Sequence, residues 1–324
     1  MAREAGVSIA TISRVINCKS VVSEKTREKV EVVLKKYNYK PNEIARGLVV
    51  NSMRTVGVMT IDIRDIYYAN VAYTVEQELR NLGYTVILCN TGDDQKEKIR
   101  YLKTLEQKKV DGIILVGSVF KDTNLEEIIS DVAAKIPVVM INGFVDSLDV
   151  YCVICDDSVG VSEAVDYLSQ KNKKNPIYLK DSDTFSAVAK LKGFQTGMLK
   201  NGLDVSGNTI FNVEKGLDGG YKAIELAFTK GVVFDAVVCG EDITAIGAIK
   251  ALQKYGVKVP DQVSVIGFND SILAQCCDPS LTSIDSRMDE MGKRAVEIFS
   301  KVINGEQVQN KNIIKPKLFV RDSG

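Results

Sequence analysis

A set of acidic and amide side chains stands just after apolar runs in this sequence. It comprises Asp62 to Tyr68, Asn90, Asn142, Asp156, Asp181, Glu241, Asp242, Asn269 and Asp270. Carboxylates and amides accept hydrogen bonds from hydroxyl and ammonium groups, so the set suits recognition of a polar small molecule. The same residue types also cap helices without any ligand. The neighbouring carboxylates Glu241 and Asp242 could do acid–base work in principle. No nucleophile or cofactor motif accompanies them. Histidine is absent, which removes Ser-His-Asp and Cys-His catalysis. No phosphate-cradling GxGxxG or GxxxxGK motif occurs either. The reading is therefore a binding protein without cofactor, not an enzyme.

The seven cysteines are scattered, and an odd number fits a reduced compartment better than a disulfide framework. Cys152 and Cys155 form a CxxC, but YCVICDD reads as a strand. Residues three apart on a strand face opposite sides. With no histidine nearby, no metal site is expected there.

A second kind of chemistry is concentrated at the start. GVSIATISRVIN places Ile12, Val15 and Ile16 on one helical face, with Ala10, Thr11 and Arg14 towards the other and Ser13 at its border. Ser8 is a suitable N-cap and Gly6 supplies a turn ahead of it. Short side chains at Ala10 and Ser13 allow close approach to a major groove. Arg14 can then reach a guanine edge or a phosphate. A small helical packing module with Arg14 in solvent remains the alternative.

These residues need elements to hold them. In the head, Ser23 precedes EKTREKVEVVLKKYNY, where Val30, Val33, Leu34 and Tyr37 make an apolar stripe. Helix, turn, helix, loop, helix is a compact three-helix module. Pro41 then ends the preceding helix, and NEIARGL is too short to be stable as an isolated helix. It reads as a linker helix that orders on binding.

Beyond residue 54 the pattern alternates. Apolar strands are expected over 54–62, 85–91, 111–118 and 137–143, with helices over 68–83, 96–109 and 124–135 between them. A second series has strands over 151–157, 175–181, 211–213, 236–242 and 263–270, with helices over 158–170, 186–200, 218–229 and 243–255. A helix over 287–304 and an extended stretch over 311–320 follow. Near-continuous apolar strands separated by helices make parallel sheets covered on both faces. Two series make two doubly wound lobes. Ligands of such sheets sit outside the carboxyl ends of the strands.

The length of 324 residues favours more than one domain, and 45% hydrophobic residues suffice for buried cores. No apolar run approaches the roughly 20 residues that span a bilayer, and no signal segment is visible at the start. A cytoplasmic protein is expected. The net charge is zero, but residues 1–50 hold ten Lys or Arg against five acids, so the remainder is acidic by the same margin. A basic head on an acidic body fits a nucleic-acid-binding module on a separate sensor.

With these elements in place, the chain resembles the LacI/GalR family of bacterial transcription regulators. The motifs are AREAGVSIATISRVIN, VSEKTREKVEVVLKKYNYKPNEIARGL, VDGIIL, IPVV, AIGAIKAL, VSVIGFND, PSLTSI and the closing VRDS. The resemblance implies a helix-turn-helix domain over 1–40, a hinge helix and linker over 41–53, and a two-lobed core like periplasmic sugar-binding proteins over 54–324. Lobe 1 is expected over about 54–150 and 285–310, and lobe 2 over about 151–281 and 311–324. It also implies a homodimer or dimer of dimers on a pseudo-palindromic double-stranded operator, most often as a repressor. Ile9 and Ala10 then fall at base-reading positions. Ser8, Thr11, Ser13, Arg14 and Asn17 fall at positions for phosphate or base contact. Leu48 matches the hinge leucine that wedges into the minor groove, with Ala45 beside it.

The family's cleft usually holds a sugar, sugar phosphate or nucleobase. Residues implied for effector binding are Asp62, Tyr67, Tyr68, Asp156, Lys190, Glu241, Asp242 and Asn269. Several depart from the family's pattern: Ile66 replaces a proline, Lys190 an arginine, Glu241 an Asn or Ser, and Asn269 an aspartate. Lysine is not a bidentate clamp, and Glu241 adds an anionic acceptor. A polar or cationic ligand, or no small ligand, is therefore favoured over the usual sugar. One branch of the family uses a phosphoprotein corepressor; IDIRDIYYAN resembles its first-lobe run, while Cys276–Cys277 does not match. The family's first helix has about one further turn ahead of AREAG, so a start upstream of Met1, or a truncated product, is expected. A solute-binding protein with the same two lobes is the alternative reading, opposed by the basic helical head.

Overall fold

A computed structural model describes residues 1–16, 22–39, 52–205 and 209–324. The chain divides into two compact units, Met1–Met53 and Arg54–Gly324.

In the first unit, helix α1 (Ala2–Ala5) is a single turn, followed by α2 (Ile9–Ile16) and α3 (Glu24–Lys36). Gly6 ends α1 with φ 64°, a left-handed conformation that glycine adopts without a Cβ penalty. The Ser8 hydroxyl caps α2 by accepting from the Thr11 amide at 3.1 Å. Ala5, Val15, Val30 and Val33 form a buried core, flanked by Val7, Ile12, Val22 and Leu34. Such a core is small. The Glu4 carboxylate supplements it by bonding Lys36 and accepting from the Tyr37 hydroxyl at 2.6 Å.

The second unit holds two six-stranded sheets. The first contains β1 (Thr55–Thr60), β2 (Thr85–Asn90), β3 (Gly112–Val116), β4 (Val138–Ile141), β5 (Val150–Cys155) and β11 (Lys311–Ile314), in the order β11-β5-β4-β3-β1-β2. The second contains β6 (Pro176–Lys180), β7 (Ile210–Asn212), β8 (Ala236–Cys239), β9 (Ser264–Phe268), β10 (Thr282–Asp285) and β12 (Lys317–Phe319), in the order β12-β10-β9-β8-β6-β7. Among the described residues every pairing is parallel except β10 with β12.

The strands read as unbroken apolar runs because both faces of each sheet are covered. Val58, Ile114, Ile141 and Val153 enter one core of the first sheet, and Met59, Leu115, Met140 and Ile154 enter the other. Cys152 and Cys155 likewise fall in different cores, as a strand's period of two requires. Helices α4 (Ile66–Asn81), α5 (Gln95–Gln107), α6 (Thr123–Ala133) and α12 (Met288–Ile303) accompany this sheet. Helices α7 (Asp157–Gln170), α8 (Phe185–Lys200), α9 (Leu217–Thr229), α10 (Asp242–Lys254) and the short α11 (Ile272–Cys276) accompany the second.

The sheets correct one expectation. Residues 151–155 and 311–314, assigned above to the second lobe, pair within the first sheet as β5 and β11. The chain therefore leaves lobe 1 only after β5, returns after β10, and crosses again between β11 and β12. The physical reason is pairing: β5 lies in parallel register against β4, with Met140 opposite Cys152. Among the described residues no helix is long and apolar enough to cross a membrane.

Candidate functional site

In the head, the polar face of α2 is open. Ser8, Ile9, Ala10, Ser13 and Arg14 are exposed and Thr11 is half-buried, while Val15 turns into the core. Ile9 is 79% exposed at the first position of the helix, an unusual place for a large aliphatic side chain. A helix with a small-residue face, an exposed isoleucine at its start and an arginine in its last turn is suited to a groove. An aliphatic group can meet a thymine methyl and an arginine can meet guanine or phosphate. Asn17, Ala45 and Leu48 lie outside the described residues.

In the core, the carboxyl ends of the strands of both sheets converge on a cavity of about 170 Å³. Ile61, Asp65, Tyr67 and Tyr68 follow β1, Asp93 follows β2, Ser118 follows β3 and Asn142 follows β4. From the other lobe, Asp181 follows β6, Lys215 follows β7, Glu241 follows β8 and Asn269 follows β9, with Ser186 and Lys190 reaching in from α8. This is the edge at which doubly wound sheets bind ligands. A second cavity of about 280 Å³ shares the walls Asp65, Tyr67, Lys215, Glu241 and Asn269, and adds Ile66, Ile243, Phe268 and Leu273.

Charge organises the cleft. Lys215 Nζ lies 2.8 Å from Asp65 Oδ2 and 3.0 Å from Glu241 Oε1, so one ammonium joins the two lobes. Burial works against that ammonium, but Glu241 and Asp65 hold its pKa well above the ordinary lysine value. Burial pushes the Glu241 carboxyl up to about 7, against the pull of Lys215 and with a further push from Asp181. Lys190 is buried, donates to the Gly240 carbonyl at 2.8 Å, and sits 3.9 Å from the centroid of the Phe268 ring, a cation–π arrangement. Beneath it, burial raises the Asp157 carboxyl, whose Oδ2 accepts from Ser186 Oγ at 2.5 Å.

The tyrosines form one wall. Tyr67 and Tyr68 pack edge to face with centroids 5.3 Å apart. Tyr68 owes its position to Gly117, where an added Cβ would stand 2.4 Å from its ring. The Tyr67 hydroxyl is buried without a hydrogen bond of good geometry, with Asn142 as its polar neighbour. A buried hydroxyl left in this state at a cavity wall is a natural contact for a ligand.

Of the residues expected to contact an effector, Tyr67, Tyr68, Lys190, Glu241 and Asn269 line the first cavity. Asp242 lines only the second, and its oxygens are engaged: Oδ2 accepts from the Ser271 amide and hydroxyl, and Oδ1 from the Ser283 hydroxyl. Asp62 lines neither cavity; it bonds Arg64, whose guanidinium holds its carboxyl down near about 2. Asp156 also lines neither, and instead caps α7 by accepting from the Val159 amide at 3.2 Å. Lys215, Asp93 and Ser118 stand among the wall residues without having been singled out from the sequence. Lys215 follows the short β7 at the same carboxyl edge of the sheet where Asp181 follows β6.

Comparison with known proteins agrees with this architecture. The model for bacterial regulatory proteins of the lacI family matches residues 1–42. The model for periplasmic binding proteins and the sugar-binding domain of the LacI family matches residues 53–322. The chain is 40% identical over 323 residues to an HTH-type transcriptional regulator of Lachnoclostridium phytofermentans, covering 99% of this chain and 97% of the relative. A solved complex of the transcriptional regulator CelR with cellobiose is 26% identical, with a TM-score of 0.76 over 100% of this chain and 98% of that one. The Lac repressor dimer bound to operator and the anti-inducer ONPF has a TM-score of 0.89 over 99% of this chain and 97% of that one; at 23% identity this is a likeness of fold. The matches cover head and core in one chain, and the protein belongs to the LacI family of DNA-binding transcriptional regulators, not to an enzyme family.

Proposed function

We propose that the protein is a cytoplasmic repressor whose operator affinity is set by a small polar effector bound between the lobes. The observation that carries the reading is the cleft itself. Residues from the carboxyl ends of strands in both lobes meet around one cavity, and one lysine ties the lobes together there. A ligand that interacts differently with open and closed lobes shifts their equilibrium, and that shift is what a head attached to the core can respond to. The likeness to CelR, solved as a complex with cellobiose, supports a hydroxyl-rich ligand.

On the DNA side, Ile9 and Ala10 read base edges, and Ser8, Thr11, Ser13, Arg14 and Asn17 hold phosphates or bases. Leu48, with Ala45 beside it, wedges the minor groove at the centre of a pseudo-palindromic site. A homodimer supplies the two heads; the Lac repressor structure, a dimer on its operator, supports that assembly. A solute-binding protein would share the lobes but leaves the helical unit at residues 1–53 without a role.

Genome-wide mapping of bound DNA followed by titration of the recovered site tests this reading. The expected outcome is tight binding to a pseudo-palindrome with steep salt dependence, since phosphate contacts release counterions. Association that is insensitive to salt, or that shows no preferred site, overturns it.

A further inference from the structure

We propose that Asp65 and Glu241 form a donor-binding subsite across the cleft, which the protein fills with its own Lys215 when no effector is present. An effector that takes this cleft must bring an ammonium or paired hydroxyls to the same oxygens and displace the lysine. The inference deepens the assignment of the cleft as the effector site and rests on it.

Three observations support the inference. First, the bridge is inter-lobe. Asp65 belongs to lobe 1, at the N-terminus of α4, while Lys215 and Glu241 belong to lobe 2. Among the described residues, Lys215–Asp65 is the ion pair that crosses the cleft away from the connecting strands.

Second, the bridge stands where the two cavities meet. Asp65, Lys215 and Glu241 are walls of both cavities. The chamber on one side is polar, with Asp93, Asp181, Ser186 and Asn142; the one on the other side adds Ile66, Ile243 and Leu273. The smaller chamber is well below the roughly 300 Å³ at which small-molecule sites begin, while the two joined fall within that range. Moving Lys215 aside opens the wall that the two voids share, which Tyr67 and Asn269 also help to form, toward one ligand-sized site with a polar and an apolar end.

Third, the charge balance selects the ligand. Displacing Lys215 leaves Asp65, Glu241 and Asp181 on the cavity wall with Lys190 as the cation; Asp93, also on the wall, is paired with Lys98 Nζ at 3.0 Å. Lys190 is already held by Gly240 and Phe268. Such a wall accepts hydrogen bonds and repels a phosphate dianion. The expected class is a neutral or cationic, donor-rich molecule, not a phosphorylated one.

The test uses the full-length protein with spectroscopic labels at the exposed positions Leu148 in lobe 1 and Val233 in lobe 2, read as an inter-lobe distance distribution without added ligand. Lys215→Ala and Asp65→Asn should each shift the distribution to longer distances. The double variant should shift it no further, because both remove one bridge. Asparagine caps a helix about as well as aspartate, so Asp65→Asn removes the charge while keeping the start of α4. Methylammonium should restore the short distance in Lys215→Ala and have no effect in Asp65→Asn, whereas inorganic phosphate should restore neither. Lys215→Arg, which keeps the cation, guards against a folding defect and should retain the short distance. Distances unchanged by Lys215→Ala, or a Lys215→Ala variant insensitive to methylammonium, overturn the proposal. Operator titration of the same variants reads the parent assignment separately: loss of the bridge with a normal operator response leaves the regulator reading intact.

Discussion

Asp242 Oδ2 accepts hydrogen bonds from both the backbone amide (2.7 Å) and the hydroxyl (2.8 Å) of Ser271, 29 residues away. With Ser283 on its other oxygen, this carboxylate ties the start of α10 to the segments that follow β9 and open β10. It is a buried hub beneath the cleft, with three of its roughly four acceptor sites filled by the protein itself. Asp242→Ala strands three buried donors, each costing about 1–3 kcal/mol if unsatisfied. The core should lose about 3 kcal/mol or more, measured as a lowered urea midpoint at unchanged slope. An unchanged midpoint would show that the hub carries little stability.

Glu241 makes stability depend on pH. Burial raises its carboxyl from 4.5 to about 7 in the folded protein, and Asp242 is raised from 3.8 to about 6 for the same reason. The folded state then holds more protons than the unfolded state between the paired values. Stability is therefore fully present below about pH 4 and declines as pH rises to 7, by roughly 2 kcal/mol for Glu241 at 1.36 kcal/mol per unit after allowance for its coupling to Lys215. Thermal melts from pH 5 to pH 8 should show the core transition falling. Glu241→Gln should flatten much of that slope, and a slope unaffected by the change would refute the assignment.

Arg14 is the most direct test of the head. It is exposed in the last turn of α2 and its removal should leave the fold of the three helices intact. Arg14→Ala should weaken operator binding by about 1–3 kcal/mol. A base contact relaxes specificity at one position of the site. A phosphate contact instead weakens all sequences and lowers the salt slope by about one. Unchanged affinity in a titration at fixed salt would place Arg14 outside the interface.

Gly6→Ala probes the turn. At φ 64°, a Cβ here meets no heavy atom within 4 Å, so the penalty is conformational and not steric. A non-glycine residue in this region costs roughly 1–2 kcal/mol. The head should melt earlier by circular dichroism while the core transition stays in place, since the core forms a separate unit. A head transition that does not move would mean that the turn can re-form in another conformation.

Glu4→Gln tests the brace between α1 and α3. Both Lys36 and Tyr37 reach the Glu4 carboxylate, which lowers its pKa chiefly through the Lys36 hydrogen bond. Because the group is exposed, the expected change is small and salt-sensitive. A modest drop in operator affinity, fading as salt rises, is the outcome to look for in a binding titration.

Much of this protein is determined by the sequence alone, for a local reason. Side-chain periodicity reports which face of an element is covered, so the alternation of strands and helices after residue 54, the capped α2 with its exposed Arg14 and the opposed faces of Cys152 and Cys155 could all be read from neighbours a few positions apart. The rule for sheet edges likewise pointed to Tyr67, Asp181, Glu241 and Asn269.

Tertiary structure decided what depends on distant partners. Nothing within residues 150–155 says that this strand pairs with β4 and not with the strand that follows it, because parallel pairing is non-local. Asp62, Asp65, Asp156 and Asp181 look alike as polar residues after strands. Asp62 turns to Arg64 and Asp156 to the Val159 amide, two and three residues away, but only the packed lobes set Asp65 2.8 Å from a lysine 150 residues away. Long-range charge pairing of that kind depends on how two domains close on each other, and no local pattern encodes it.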